Sequence, residues 1–529
     1  MSLPHLATLG AIFLATVLVP KFLRWRSRMA KLNAIPTVGN SGIFSSYTSA
    51  RKFQNHALEI IQEGYEKYPG RAFKVPLPDG WHVLVSGKDM IDDIKKANDS
   101  DLSFQEAITE TLQTDYTMGL AARIDPYQVD VVRTPLTRNL AAKFDDLRDE
   151  IQAAFGDEIS AKESEWIKVP MLFTVMKIVS RTSNRYFVGL PLCRDSDYVR
   201  LNIEFTIDAF KGATVLRHYP GFLKPLVRHF LTNVPACVAR ATKHLEPVIR
   251  ERLRKEEEYG TTDWPDKPND LISWLLDEAN TTERRKNIVF EIVSRILLIN
   301  MAAIHTTSIT FTNTLYQLAA NPDIAQPLRE EVQACVNEQG WTKAAMGQMR
   351  KLDSFMKETQ RIIGVGGLAS SRMVMKDFTF SNGIEVPAGT ILSSASYSLH
   401  HDGVSGLLGL PIYDLNILTS IPPQNVYEKP EDLDPFRFSN MRTKEGEGFK
   451  HQMVAQDPSY ALFGHGGKHM CPGRFFAVNE LKALVGHVLL NYDIKFENNG
   501  GVPPAHWDGV TVSPNRTASV MFRKRPAKA

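Results

Sequence analysis

The sequence contains few cysteines, and none of them lies at a spacing typical of a metal-binding or redox pair. Only four occur in 529 residues, and no C-x-x-C pair is present. This excludes a disulfide framework and a structural zinc ribbon. Scattered, unpaired cysteines are also typical of a reducing compartment, so we expect the body of the protein to lie in the cytosol.

The chain also lacks a large excess of charge of one sign. Its formal net charge is +3, which is too small to indicate a nucleic-acid-binding protein. No internal repeat, long low-complexity tract or clear linker divides it. Because 529 residues can bury a large core without disulfides, we expect one large catalytic domain.

Apolar residues recur at helical spacing along most of the chain, and strand-like alternation is confined to short segments. The pattern predicts a mainly α-helical fold with a minor β subdomain. The predicted helices are Leu147–Phe155, Leu201–Phe210, Cys237–Arg254, Asn287–Ala320, Lys351–Ile363 and Ala477–Leu490. The predicted strands are Ala72–Val75, Trp81–Ser86, Phe378–Phe380 and Glu385–Ile391.

The N-terminus carries an apolar run followed by basic residues. Leu3–Val19 has no formally charged side chain, and five Lys or Arg residues follow between Lys21 and Lys31. The run is near the lower limit of ~17 residues for a membrane-spanning helix. A cleaved secretory signal is the alternative, but no small-residue cleavage site follows. Because basic flanks stay in the cytosol, we expect residues 1–33 to be a retained anchor. A hinge at Pro36 and Gly39 would then lead into a catalytic domain over 34–529.

The strongest chemical motif is the glycine-rich loop Phe463–Gly473, which carries Cys471 just before a predicted helix. Free N–H groups and the helix dipole stabilise a thiolate at such a position. Iron accepts a thiolate ligand, which favours cleavage of an O–O bond. Two alternatives remain open for the loop alone. Cys471 could be an ordinary buried cysteine, or it could bind zinc together with His465 and His469.

Three weaker motifs accompany this loop. Glu358 and Arg361 are three residues apart on one face of a predicted helix, although such pairs are usually solvated surface pairs. Asp434–Phe438 is a loop that combines aromatic residues with an arginine. Residues 305–312 place several hydroxyl side chains and one histidine inside an apolar helix. Hydroxyls in helices often only bond the carbonyl at i−4, but they can also face a ligand across a local widening.

Together and in this order, the motifs resemble the cytochrome P-450 family along nearly the whole chain. The resemblance implies that family's fold, preceded here by one transmembrane helix. It also implies haem b with Cys471 as the axial iron ligand, and Gly473 matches the glycine that follows this cysteine. Glu358, Arg361 and Arg437 match a buried triad that fixes the cysteine loop.

The resemblance also assigns residues around the haem. His469 and Arg372 match ligands of the haem propionates, and Arg133 is a third candidate. Phe463 matches the phenylalanine beside the thiolate, but it lies one residue farther from the cysteine than is usual. One glycine of the loop is therefore extra.

The oxygen-binding helix of the family matches Ala302–Thr307, read as A-A-I-H-T-T. Thr306 keeps the place of the threonine that hydrogen-bonds oxygen. His305 replaces the usual acidic residue, so a carboxylate cannot relay protons at this position. Since histidine titrates near neutrality, we expect His305 to serve in its place.

The resemblance is strongest to fungal specialised-metabolism members similar to ent-kaurene oxidases. This implies a monooxygenase of the endoplasmic reticulum membrane that oxidises terpenoid or steroid-like substrates. NADPH-cytochrome P-450 reductase would supply electrons, with cytochrome b5 as a further donor. The expected substrate-contacting residues are Phe104, Thr117, Phe205, Ala302 and Val365.

Two other function classes remain open. A non-catalytic metal-binding membrane protein would use the cysteine loop without chemistry. A haem-thiolate enzyme of peroxide or isomerisation chemistry would need no NADPH. For the monooxygenase, we expect a reductase-binding patch of five cations, namely Arg442, Lys444, Lys450, Lys468 and Arg474.

One segment, 404–424, interrupts the family pattern. Removing its 21 residues joins the His401–Asp402 turn to a Tyr-x-x-Pro segment at Tyr427. The segment begins with Val-Ser, which the nucleotides GTAAGT or GTGAGT encode, the usual start of a fungal intron. It ends in Gln424, whose codon can be CAG and would then supply the closing AG. It is rich in Leu and Ile without a clear helical face. We interpret it as a translated intron, with a genuine lineage-specific loop as the alternative.

Overall fold

Most of the chain forms α-helices, in agreement with the spacing of its apolar residues. A computed structural model describes residues 3–39, 43–77, 80–261, 264–403, 427–457, 459–498 and 500–526. The first helices are α1 (Leu3–Ala34), α2 (Ile43–Asn55), α3 (Ala57–Lys67), α4 (Lys88–Lys96), α5 (Phe104–Leu112), α6 (Thr114–Thr117), α7 (Ala121–Ile124), α8 (Gln128–Val131), α9 (Thr137–Asn139), α10 (Phe144–Glu158), α11 (Met171–Phe187) and α12 (Ser196–Arg217). The later helices are α13 (Lys224–Leu231), α14 (Val234–Tyr259), α15 (Leu271–Glu278), α16 (Thr282–Arg285), α17 (Ile288–Ala320), α18 (Pro322–Gln339), α19 (Lys343–Gln348), α20 (Arg350–Ile362), α21 (Ser396–His400), α22 (Arg437–Met441) and α23 (Arg474–Asn491).

Short strands form the minor β component. They are β1 (Ala72–Leu77), β2 (Gly80–Val85), β3 (Leu102–Ser103), β4 (Ile167–Pro170), β5 (Ala369–Val374), β6 (Phe378–Thr379), β7 (Glu385–Val386), β8 (Ile391–Ser394), β9 (Tyr492–Lys495), β10 (His506–Asp508), β11 (Thr511–Ser513) and β12 (Ser519–Lys524). The largest sheet has the order β1-β2-β8-β5-β3, and its β2 and β8 are parallel. The other sheets are β4-β12-β9, β6-β7 and β10-β11.

The long helix α17 lies at the centre of the helical part. It contacts α11, α12, α14, α20 and α23. Its apolar residues surround it on nearly every side, which is typical of a helix buried within a core. Among the residues searched, α17 is the helix long and apolar enough to cross a membrane, but 56% of that apolar window is buried inside the protein. We therefore assign α17 to the core, and the anchor at residues 3–19 stays a prediction.

The predicted strand Glu385–Ile391 is wrong as a single element. It forms two strands, β7 and β8, separated by a turn at Pro387–Gly389. Proline lacks the N–H group that a strand ladder needs, and Gly389 adopts a left-handed φ of +77°. Arg28 Nη2 donates to the Gly389 carbonyl at 2.8 Å, so the turn also contacts α1.

The predicted hinge after the basic stretch is also not a free joint. α1 continues through the basic residues to Ala34, and Leu32 is buried in the core of the β subdomain. Val38 N–H donates to the Lys74 carbonyl at 3.0 Å, and Lys74 N–H donates to the Pro36 carbonyl at 2.8 Å. These bonds extend the sheet by a short bridge at Thr37, so the segment is part of the fold.

Candidate functional site

Cys471 lies at the end of the glycine-rich loop, just before α23. Its backbone N–H donates to the Phe463 carbonyl at 3.0 Å and closes the loop. Gly464, Gly466 and Gly467 have φ angles of +87°, +108° and +74°, a region that other residues rarely adopt. Three left-handed glycines thus accommodate the extra residue between Phe463 and Cys471.

The pKa of the Cys471 thiol is subject to opposing effects. Burial raises its pKa, while the N–H groups of Gly473 and Arg474 and the Arg474 charge lower it without prevailing. The donors expected at the start of α23 are therefore present, but burial dominates for the free thiol. A bound metal cation replaces the thiol proton and supplies the positive charge that a buried thiolate needs.

One stripe in the middle of α17 is accessible although most positions around it are buried. Ala302 and Thr306 are exposed, and Leu298 and Ile309 are half-buried, whereas Met301, Ile304 and Thr307 are buried. Positions 298, 302, 306 and 309 share one helical face. Small accessible residues inside a core helix form the wall of an internal space, as a flat cofactor and a substrate require.

The two predicted proton-relay residues lie on this part of α17. Thr306 Oγ1 donates to the Ala302 carbonyl at 2.8 Å, the i−4 bond that helical hydroxyls commonly make. His305 Nε2 donates to the Ile203 carbonyl of α12 at 3.1 Å, and burial lowers its pKa. The ring is therefore neutral with Nδ1 as an acceptor. The helix is α-helical throughout 288–320, so the expected local widening is not found.

Arg372 fits a ligand that carries a negative charge. It is only 4% exposed, and its Nε atom has no hydrogen-bond partner. Its guanidinium bonds the Ser371 carbonyl at 2.8 Å, and no carboxylate in the described part of the chain forms an ion pair with it. Burial lowers its pKa to about 10. A buried, unneutralised guanidinium is costly, and a haem propionate would supply the missing anion.

His469 lies near Arg372, and Arg133 contacts the cysteine loop. The His469 ring packs 5.8 Å from Phe104, and the Arg372 guanidinium lies 5.6 Å from the same ring. Arg133 Nη2 donates to the Lys468 carbonyl at 3.2 Å. His469 and Arg372 therefore share the Phe104 ring, and Arg133 contacts the residue before His469; that the three bind haem propionates stays a prediction.

Asp99 is a residue of this region that the sequence did not reveal. Its carboxylate accepts from His469 Nε2 at 2.7 Å and from Lys468 Nζ at 3.0 Å. Burial raises its pKa, but the Lys468 and His469 contacts together lower it. Asp99 thus orients the His469 ring from α4's side of the loop.

The predicted triad is assembled and buried. Glu358 accepts from Arg361 Nε and Nη2, both at 2.9 Å, and from Arg437 Nε at 3.0 Å. The Glu358 and Arg361 side chains are 0% exposed. The backbone N–H of Asp434 adds a fourth bond to the carboxylate at 3.1 Å. This satisfied network holds the loop around Arg437 against α20.

His400 links the triad to the cysteine loop, and no sequence signal singled it out. Its carbonyl accepts from Arg361 Nη1 at 2.7 Å. Its ring Nε2 accepts from the Ala461 N–H at 3.0 Å and stacks on Tyr460 at 5.0 Å. An i,i+3 pair or a glycine loop is visible in a sequence, whereas a contact made by a lone histidine is not.

The five predicted substrate-contacting residues are only partly brought together. Thr117 and Phe205 line one small cavity, and Ala302 lies on the accessible stripe of α17. Val365 is half-buried in the connection between α20 and β5. Phe104 packs instead between His469 and Arg372, which places it nearer the propionate ligands.

One cation of the predicted reductase-binding patch does not lie on the surface. Arg442 is 6% exposed and faces Asp353 at 3.8 Å, so its place in a surface patch is wrong.

The zinc alternative finds no support in the described residues. His465 bonds Ser394 Oγ at 2.8 Å, His469 bonds Asp99, and no group of three potential ligands is present there.

Comparisons with known proteins agree with this geometry. The family model described as Cytochrome P450 matches residues 35–403 and 416–522. Cytochrome P450 monooxygenase 151 of Postia placenta is 42% identical over 513 residues, covering 97% of this chain and 98% of that protein.

Two further relatives come from other fungi. Cytochrome P450 monooxygenase CYP512U6 of Ganoderma lucidum is 35% identical, covering 98% of this chain and 96% of that protein. Cytochrome P450 monooxygenase paxQ of Penicillium paxilli is 30% identical, covering 94% and 93%. This chain therefore belongs to the cytochrome P450 family, as a mainly helical monooxygenase that binds haem through a cysteine thiolate and acts with molecular oxygen.

Proposed function

We propose that this chain oxidises an apolar terpenoid or steroid-like molecule in fungal secondary metabolism. The observation that carries the proposal is the accessible stripe of Ala302 and Thr306 on the otherwise buried helix α17. Small residues there leave room for a bulky apolar skeleton. The names of the fungal relatives support the reaction class but do not specify a substrate.

Cys471 would hold the iron of haem b through its thiolate. Arg372, His469 and Arg133 would bind its propionates, and the Glu358 triad would hold the loop in position. A bound haem would supply activation of O2: with two electrons and two protons, one oxygen atom would enter a C–H bond of the substrate and the other would leave as water. The protein contributes orientation of the substrate, exclusion of water and movement of protons.

Proton movement falls to Thr306 and His305 in this proposal. The Thr306 hydroxyl would turn from the Ala302 carbonyl towards the reacting oxygen. His305 keeps Nδ1 as an acceptor at neutral pH, because burial lowers its pKa. A neutral imidazole can accept a proton from one side and pass one from the other.

The chain is proposed to sit on the cytosolic face of the endoplasmic reticulum membrane, anchored once through α1. Large apolar side chains around α13 support contact with a bilayer, since Phe222 and Phe230 are 79% and 72% exposed. NADPH-cytochrome P-450 reductase would supply electrons, with cytochrome b5 as a further donor. Lys444, Lys450 and Lys468 remain as cations that could steer an acidic partner.

The segment 404–424 lies outside the described residues, and we propose that it is a translated intron. Its flanks lie side by side: Gly403 pairs with Tyr427 in a β-bridge, and Tyr427 N–H donates to the Asp402 carbonyl at 3.3 Å. Gly403 and Tyr427 run in the same direction in this bridge, so a reversing β-turn would not preserve it. After deletion, the Tyr427 N–H and the Asp402 carbonyl would be four residues apart, which is the spacing of the hydrogen bond in a single helical turn. The family match also breaks between residues 403 and 416.

One observation favours a second candidate. His305 stands where the family has an acid, and Thr306 bonds its own helix. A weak proton path would suit peroxide or isomerisation chemistry, which does not require reductase.

Turnover in microsomes tests both candidates. A terpenoid panel is incubated with reductase, NADPH and ¹⁸O2. We expect one labelled oxygen atom in the product, strict dependence on NADPH, and loss of the thiolate-type CO spectrum in Cys471→Ala. Products without label, or formed with peroxide alone, would favour the second candidate. A Cys471→Ala protein that keeps that spectrum would refute the ligand assignment.

A further inference from the structure

A cleft of about 390 Å³ lies where α17, α18, α23 and β9 meet. This volume is in the range that accommodates one small organic molecule. The apolar part of its wall is mainly aliphatic, with Leu318 of α17, Ala325 of α18, Val488 and Leu489 of α23, and Ile494 of β9. Trp166, just before β4, adds an aromatic ring. The cleft therefore offers an apolar surface to a ligand.

Positive charge exceeds negative charge around the cleft. The Asp493 carboxylate in its wall accepts from Arg525 Nη1 at 2.6 Å and from Arg523 Nη2 at 3.2 Å. Arg329, also in the wall, adds a longer contact from Nη2 at 3.4 Å. Three guanidinium groups thus share one carboxylate. Burial and the Arg525 charge lower the pKa of Arg329, which agrees with a crowding of like charges.

A fourth cation, Lys495, lies in the same wall and has no carboxylate partner among the described residues. Its Nζ atom lies 4.7 Å from the centre of the Trp166 ring, and the Arg523 guanidinium lies at the same distance from that ring. An aromatic ring attracts a cation without neutralising its charge. Because a cleft with apolar walls focuses the field of its charges, we expect an anionic group to bind beside Trp166.

The cleft is separate from the haem site. Leu318 lies twelve residues after Thr306 on α17, which is roughly 18 Å along the helix axis at about 1.5 Å per residue. Leu489 lies fifteen residues after Arg474, where α23 begins behind the cysteine loop, and this is roughly 22 Å. A ligand in the cleft would therefore contact neither the accessible stripe of α17 nor Cys471, and it could bind together with a substrate.

We propose that this cleft is a second ligand site, which binds an aliphatic carboxylate with its chain along the apolar wall and its anionic group between Lys495 and Arg523. The anion would form charge-assisted hydrogen bonds with both cations and offset the crowding of like charges around Asp493. An aliphatic chain suits this wall better than a flat aromatic body, because the Trp166 ring is already contacted by two cations. The site is independent of the substrate that the monooxygenase oxidises.

Isothermal titration calorimetry with matched probes tests this. Decanoate, decanol and decyltrimethylammonium share one chain and differ in charge. The full-length, haem-loaded protein is first saturated with clotrimazole, an azole that ligates the haem iron, so that the haem pocket is closed to the probes. We expect decanoate to bind at least ~10-fold more tightly than decanol, as for a charged hydrogen bond, and decyltrimethylammonium to bind most weakly.

Variants separate the two parts of the site. The double variant Lys495→Gln/Arg523→Gln should lose the preference for decanoate and keep its affinity for decanol. Ala325→Trp, which fills the cleft, should bind neither probe. Arg254→Gln removes an exposed arginine of α14 and should bind both probes like the wild type. Thermal unfolding and the CO spectrum, recorded without clotrimazole, report whether each variant keeps its fold.

Several outcomes would overturn the site. Decanoate that binds no more tightly than decanol, or does not bind, is one of them. A preference that survives in the double variant, or binding that Ala325→Trp leaves unchanged, is another. Decanoate binding that clotrimazole abolishes would place the acid in the haem pocket and would also overturn it. If Ala325→Trp does not fold, the double variant decides alone. Each of these outcomes leaves the proposed oxidation reaction standing.

Discussion

The Nε2 atom of His400 accepts a hydrogen bond from the backbone N–H of Ala461 at 3.0 Å. Burial, followed by the positive charges of neighbours such as Arg361, holds the His400 pKa well below its usual range. The ring is therefore neutral and suited to accept. Because Arg361 bonds the His400 carbonyl, one residue joins the triad to the start of the cysteine loop.

His400→Phe should disturb the loop, because it keeps the stacking on Tyr460 but leaves the buried Ala461 N–H unsatisfied. We expect a loss of ~1–3 kcal/mol in the free energy of unfolding, faster haem loss and a CO spectrum with a larger inactive fraction. His400→Gln retains an acceptor and serves as the control. Equal CO spectra for His400→Phe and the wild type would show that the bond between His400 and the Ala461 N–H does not position the cysteine loop.

Arg361→Ala should be among the most damaging single changes. It leaves the fully buried Glu358 carboxylate with one arginine, and breaking a buried pair costs ~3–5 kcal/mol. Thermal unfolding and haem content measure the effect. Arg254→Gln is the matched control, since its pairs with Glu251 and Glu258 are exposed to solvent and should contribute little to stability. Similar losses in both variants would contradict a special role for the triad.

Thr306→Ala should uncouple oxygen consumption from product formation and release peroxide, because it removes the hydroxyl that we propose turns towards the reacting oxygen. His305→Ala should slow product formation by ~10²-fold, within the usual range for a general acid–base group. Its pH–rate profile should also lose the acid limb set by a histidine of lowered pKa. Peroxide yield, NADPH use and product are measured together. Wild-type coupling in both variants would refute the relay.

Glu480 should make the protein less stable as pH rises. The side chain is 0% exposed, accepts from Thr182 Oγ1 at 2.7 Å and Ser183 Oγ at 2.9 Å, and burial raises its pKa to about 7. The unfolded carboxyl titrates near ~4.3, so the folded state binds more protons between these values. The contribution of Glu480 to the free energy of unfolding is fully present below the pKa of the unfolded state. It is lost as the pH rises through the pKa of the folded state.

We expect this loss to amount to about 3 kcal/mol between pH 4 and 8, measured by urea unfolding at each pH. Glu480→Gln keeps hydrogen-bonding capacity without a titrating group, so the wild type should be less stable than this variant at pH 8. A stability difference between the two proteins that does not change with pH would refute the assignment.

Deleting 404–424 should give a protein that binds haem at least as well as the full chain. The flanks already meet at Gly403 and Tyr427, and Arg437 of the triad follows soon after. Haem content and transcript sequencing test this. A mature message that retains the segment, together with loss of haem on deletion, would establish it as a genuine loop.

The sequence predicts the helices and the residues with strong spacing, because periodicity and short motifs are local properties. Glu358 and Arg361 are three residues apart, so their contact follows from helix geometry alone. The loop around Cys471 is similarly local. By contrast, Asp99 and His400 act through contacts with residues far along the chain, which no local pattern encodes.

The errors have physical reasons too. Arg442 has the composition of a surface cation, yet Asp353 holds it in the interior. The prediction of one strand over Glu385–Ile391 did not take Pro387 and Gly389 into account. The backbone preferences of these two residues outweigh the β propensity of their neighbours.

The ammonium of Lys74 bonds the carbonyls of Leu32 at 2.7 Å and Ile35 at 2.6 Å, in a site where Lys74 is 1% exposed. Cutting the chain after residue 33 would remove one of these two acceptors from a buried charge. It would also remove Arg28 and Lys31, which hold the helix end to the β subdomain. Truncation for crystallisation or bacterial expression should therefore begin ahead of Arg28, so that the last two turns of α1 remain with the enzyme.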